Sequence, residues 1–158
     1  MHFSLGCAEG FLCHLRQARA VKRALAAVGV RAYLCEDQVR VGGDWKTEIA
    51  EMMASCSVMV VLATATYGAQ GTSALLGTWE ELQFGFSEQK QMCIVRMCDD
   101  FTEARTKVVL REKQAILWTD EAATLSKIVS DVQKKLSHMP AQAPAAKTTP
   151  QTGSHGYS

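Results

Sequence analysis

Short apolar runs alternate with amphipathic stretches along the first 137 residues. Leu15, Ala18, Val21, Leu25 and Val28 recur every three or four positions, the repeat of one helix face. Gly29 follows as a natural stop. Val30 to Leu34 reads as a strand, and Glu36 to Asp44 as a polar loop containing Gly42 and Gly43. Asp44 is a suitable N-cap for a helix that turns Trp45, Ile49 and Met52 or Met53 to one side. Ser57 to Leu62 is a continuous apolar, β-branched run, the pattern of a strand buried on both faces. Thr78 to Glu88 repeats Trp79, Leu82 and Phe86 at helical spacing, and Met92 to Val95 is a further strand. Ala115 to Trp118 is a short strand, and Leu125, Ile128, Val132 and Leu136 mark a last helix. A short strand at His2 to Leu5 precedes them all, while residues 98–114 show no usable period.

Strands that alternate with helices predict a parallel sheet covered on both faces. The expected fold class is therefore α/β: a flavodoxin-like, doubly wound, parallel five-stranded sheet with helices on both faces. In such sheets ligands bind beyond the carboxyl ends of the strands. Three segments are expected at that edge: residues 6–13, 36–44 and 63–77.

Composition adds a second boundary. All three prolines (Pro140, Pro144 and Pro150) and a single charge, Lys147, fall in the last twenty residues. Such a stretch cannot bury enough apolar surface to offset its ordering entropy. Residues 138–158 are expected to be a disordered tail rich in Pro, Ala, Thr and Ser, and residues 1–137 the folded domain. The whole chain carries 17 basic and 16 acidic residues. That balance gives no global electrostatic case for nucleic acid or a membrane surface as partner. No apolar run reaches the ~18 residues that would cross a bilayer. Six cysteines form no C-x-x-C pair, so we expect reduced thiols, no metal site and a cytoplasmic location. Cys7 or Cys13 with His14 would make a nucleophilic pair. However, His14 adjoins Cys13 and falls where a helix starts, which sets that reading aside.

Neither G-x-G-x-x-G nor G-x-x-x-x-G-K-[ST] is present, so the usual phosphate cradles are missing. The most distinctive stretch is Val41-Gly42-Gly43-Asp44-Trp45-Lys46-Thr47-Glu48-Ile49-Ala50-Glu51-Met52. It runs on to Ser55-Cys56-Ser57 and the apolar strand, then to Ala65-Thr66-Tyr67 and Trp79-Glu80-Glu81-Leu82. This succession resembles the TIR (Toll/interleukin-1 receptor) domain family over roughly residues 1–137, most specifically over 30–86. Gly42-Gly43 is similar to the glycine region of the family's BB loop. Phe3-Ser4 is an imperfect match to its first box, and Leu117-Trp118 is similar to its third.

The resemblance implies one of two activities. Some TIR domains are scaffolds that bind other TIR domains. Others cleave or cyclise NAD⁺ with a glutamate at the start of the third helix, just before an apolar residue. Glu81, ahead of Leu82, matches that position, and adjacent Glu80 is the fallback. The expected function is NAD⁺ glycohydrolase activity in signalling, immune or cell-death responses, by an assembly of domains. NAD⁺ is then the substrate, and no resident cofactor is expected. The alternative is a non-catalytic adaptor. Either way the expected partner is another TIR domain, or a second copy, at the 36–44 loop. The substrate-binding candidates are Gly6, Cys7, Gly43, Asp44, Trp45 and Trp79. Two features depart from the family pattern. Trp79 sits only two residues before Glu81, and two positions apart do not share a helix face. No cation occurs between the first strand and Arg16, so backbone N–H groups would have to hold a diphosphate. Against the catalytic reading stands a plainer one, in which Glu81 is a solvated charge on an exposed helix face.

Overall fold

Six consecutive apolar residues, Val58–Ala63, form β3, and every one is buried. A strand alternates its side chains between two faces, so β3 needs apolar cover on both. Val58, Val60 and Leu62 pack with Leu15, Val21 and Leu25 of helix α1 (Phe11–Ala27) and with Ile128 and Val132 of helix α5 (Glu121–Ser137). Val61 and Ala63 pack the opposite way, with Leu82 of α3 (Thr78–Ser87) and Leu110 of α4 (Ala104–Arg111). On that same face Met59 meets Ile49 and Met53 of α2 (Trp45–Ser55). The computed structural model describes residues 2–4, 11–34, 45–69 and 78–138, with side chains over 15–34, 47–69 and 78–138.

The remaining strands are β1 (His2–Ser4), β2 (Tyr33–Leu34), β4 (Gln91–Arg96) and β5 (Ala115–Leu117). They line up in the order β2-β1-β3-β4-β5, each pair of neighbours parallel. That order is the flavodoxin-like, doubly wound one. The β3–β4 ladder carries the long register, from Val58 opposite Gln91 to Ala63 opposite Arg96. β1, β2 and β5 are short.

Several expectations shift. The strand read at Val30 to Leu34 pairs only at Tyr33 and Leu34. Val28, counted on the first helix's inner face, is 43% exposed, because the helix ends at Ala27 and Gly29 turns at φ 75°. Residues 11–13, placed in a loop from sequence, already belong to α1. The unread stretch 98–114 contains α4, buried through Thr106 and Leu110. In α3, Gly85 costs helix propensity of about 1 kcal/mol relative to alanine. Its reason is closeness: a Cβ there would run into the thioether ends of Met92 and Met59. His138 caps α5, and the expected tail beyond it lies outside the described residues.

Core position and surface position should separate cleanly in stability. Leu25 is fully buried, whereas Val108 is 75% exposed. Leu25→Ala is expected to lower unfolding free energy by about 2–5 kcal/mol, and Val108→Ala to change it by less than about 0.5 kcal/mol. Urea titrations of the two variants check this.

Candidate functional site

The carboxyl end of β3 turns sharply. The Tyr67 N–H donates to the Thr64 carbonyl at 3.1 Å, and Ala69 N–H to Thr66 at 3.0 Å. Gly68 adopts φ 87°, a conformation that glycine reaches without steric cost. Four groups from the following layer hold this turn. Thr102 donates from both its N–H and its hydroxyl to the Ala65 carbonyl, at 2.8 and 2.9 Å. The Thr106 hydroxyl donates to the Tyr67 carbonyl at 2.7 Å, and Arg105 Nη2 to the Gly68 carbonyl at 2.8 Å. On the other side the Gly68 N–H donates to Thr78 Oγ1, at the first residue of α3, at 2.7 Å. The turn thus fixes where α3 begins. A Cβ at residue 68 would collide with Thr106 Oγ1.

The first turn of α3 carries Glu80 and Glu81, both suited to the positive end of a helix dipole. Their surroundings differ completely. Glu80 is exposed, whereas Glu81 is 4% exposed. The reading of Glu81 as a solvated surface charge therefore fails. Its neighbour Leu82 is fully buried in the cluster of Val61, Tyr67 and Ile94. Glu81 Oε2 is buried and takes no hydrogen bond among the described residues. Loss of hydration penalises the ionised form, and the negative charge of Glu80 adds to it. Together they push the Glu81 carboxyl up to about 8. A buried carboxyl with an unsatisfied oxygen, at the edge where α/β sheets bind ligands, is the arrangement expected of a working group.

Trp79 is half-buried against the same cluster, with the Arg105 guanidinium 4.7 Å from its ring centroid. One face of the indole is therefore occupied by a cation. Arg105, Thr106, Thr102 and Gly68 were not anticipated from sequence. Three of them lie in the 98–114 stretch, whose only regular signal is the spacing of Thr106 and Leu110. Trp45 is the first residue of α2. Gly6, Cys7, Gly43 and Asp44 lie outside the described residues, as do the 36–44 loop and residues 70–77. Among the described residues no cluster of three His, Cys, Asp or Glu could hold a metal, and no helix is long and apolar enough to cross a membrane.

A family model of the TIR domain matches residues 11–129, from the start of α1 into α5. The chain belongs to the TIR domain family. No curated protein matches it. Membership brings with it a general role in signalling and contacts between TIR domains as the general mode of action.

Two measurements test the geometry. Gly68→Ala is expected to destabilise the fold by more than about 1 kcal/mol, since it adds backbone strain to a collision; Thr106→Ala, which removes the colliding oxygen, should cost less in that background than in the wild type. The second concerns pH. Folded Glu81 keeps its proton to about pH 8, and the unfolded chain releases it near 4.5. Between those values the folded state binds more protons, so stability falls as pH rises. Chemical denaturation from pH 5 to 8 should show that fall in the wild type and a flatter profile in Glu81→Gln.

Proposed function

We propose that this TIR domain cleaves the nicotinamide–ribose bond of NAD⁺, with Glu81 as the carboxylate at the reacting sugar. The reading is supported by one observation above the rest: Glu81 is buried at the carboxyl edge of the sheet with an oxygen that has no partner among the described residues. Family membership supports the setting.

The chemistry asks little of the protein. The C1′–N bond breaks and its electron pair returns to the ring nitrogen, so nicotinamide departs neutral and needs no general acid. The ribose becomes oxocarbenium-like, as in glycoside cleavage. A carboxylate beside it holds the hydroxyls and offsets the developing positive charge, an effect typically worth ~3–4 kcal/mol for one well-placed group. Water then adds to C1′ and gives up a proton, leaving ADP-ribose. Burial keeps free Glu81 largely protonated at neutral pH. The cationic pyridinium of arriving substrate favours the ionised form, so the charge is unmasked when it is needed.

A second reading is a non-catalytic adaptor that binds other TIR domains through the 36–44 loop, and it is supported by contact between TIR domains as the family's general mode of action.

Nicotinamide release from NAD⁺ by concentrated protein separates the two. Turnover is expected, with specific activity rising as the protein is concentrated. Glu81→Ala should lose at least 100-fold while Glu80→Ala keeps most of it. The free-enzyme profile of kcat/KM should climb with pH and level off above about 8, following ionisation of Glu81. Absence of turnover, even when the domain is crowded on beads, would move the adaptor reading ahead.

A further inference from the structure

We infer that a second ligand site lies at the opposite end of the sheet from Glu81 and takes small molecules bearing two or more adjacent phosphates. It is a cavity of about 790 Å³, bounded by the last turn of α3, the amino ends of β4 and β5, and the second half of α5. Its volume is within the roughly 300–1,000 Å³ of small-molecule pockets. Gln89 and Lys90 lead into β4, and Lys113 and Gln114 lead into β5. The cavity therefore opens at the strands' amino ends, whereas Glu81 sits at the amino end of α3, just past the carboxyl end of β3.

Charge decides the ligand class. Lys90, Lys113, Lys127, Lys134 and Lys135 all line the cavity, and Asp131 is the single acid. On a chain with a net charge of +1, this is a local concentration of one sign, which draws anions into a concave site. The five ammonium groups come from three separate stretches of chain, so they converge on the cavity instead of following one helix.

Their present bonds show which are available. Lys90 Nζ donates to the carbonyls of Ala54 and Cys56 at 2.6 and 3.0 Å, and Lys135 pairs with Asp131 at 2.7 Å. Lys113 rests 5.3 Å from the centroid of Phe86. Lys127 and Lys134 have no partner among the described residues. They stand seven positions apart on α5, two turns along one face, with Ser130 between them. Two free ammonium groups about 10 Å apart along a helix, with Lys113 across from them, suit a chain of phosphates better than one anion. Phe86 gives an attached ring an apolar wall.

Smaller flanking charges reinforce the choice. A second cavity of about 390 Å³ shares Ile94, Lys113 and Ala115 with the first, and adds Arg96, Lys107 and Arg111 around Asp100. Asp100 is already paired with Lys107, which holds its carboxyl below the usual range. Asp131 and Asp100, the acids that line the first and the second cavity, each sit beside a lysine that offsets their charge.

The test is calorimetric titration of the intact chain at fixed ionic strength with tripolyphosphate, ATP, adenosine and orthophosphate. Saturable binding of tripolyphosphate and ATP is expected, weakening as salt is raised, with adenosine and orthophosphate at least tenfold weaker. Lys127→Ala/Lys134→Ala should lose at least tenfold in affinity. The charge-matched control Arg16→Ala/Arg23→Ala, on exposed positions of α1, should lose less than twofold. Co-sedimentation with phosphatidylcholine vesicles containing a bisphosphorylated phosphoinositide tells a lipid headgroup from a free metabolite. Lysine-dependent binding there together with the soluble phosphates assigns the shared chemistry to both sources, and binding of the soluble phosphates alone assigns it to metabolites. Absence of saturable tripolyphosphate and ATP binding, or equal losses in both double variants, overturns the proposal. Glu81→Ala should bind tripolyphosphate like the wild type whether or not NAD⁺ is cleaved, so this site stands or falls apart from the catalytic reading.

Discussion

A strand with no exposed residue imposes a demand on every element around it. β3 sends Val58, Val60 and Leu62 to one face and Met59, Val61 and Ala63 to the other, and none of them tolerates water. Each face must be roofed by helices, and parallel neighbours need a crossover between every pair of strands. The winding of α1 and α5 on one side, with α2, α3 and α4 on the other, is the solution the chain adopts. The site inherits its place from that demand. α3 can start only where the chain leaves β3, and the turn at Tyr67–Gly68 is held there by Thr102, Arg105 and Thr106 from the next crossover.

That anchoring explains how a carboxyl can remain buried. An unpaired buried oxygen is expensive, on the order of 1–3 kcal/mol or more for an ionisable group. It persists only where the surroundings cannot relax around it. Leu82, fully buried on the adjacent position, and the Thr78–Gly68 hydrogen bond fix the first turn of α3 from two sides. Glu81 is left with protonation as its means of accommodating burial, and its raised pKa is the record of that.

Much of the fold was legible before any coordinates. The apolar runs at 57–62 and 92–95 and the helical repeats at Leu15, Leu82 and Ile128 are strong signals, because burial repeats with the period of the backbone. The segment 98–114 was illegible for an equally physical reason. Val108, Val109 and Leu110 are contiguous, yet only Leu110 is buried, while Val108 is 75% exposed. Polar Thr106 is the other buried residue of α4, tied to a carbonyl by its hydroxyl. The site divides the same way. Glu81 was found through a resemblance, since two adjacent glutamates look alike in sequence and only packing makes one exposed and the other buried. Arg105 and Thr106 act through backbone carbonyls of residues nearly forty positions earlier, a relation that no local pattern encodes.

Lys90 has a further consequence. The last turn of α2 contains no basic residue of its own, and its terminal carbonyls lack intrahelical donors. The ammonium of Lys90, at the threshold of β4, supplies them from more than thirty residues away. Helix ends ordinarily fray on their own, at almost no free-energy cost. Here the end of α2 cannot loosen without surrendering the lysine that leads into the longest ladder of the sheet. Loosening the end of α2 therefore also costs the hydrogen bonds of the lysine that leads into β4, which ties that helix end to the β3–β4 ladder.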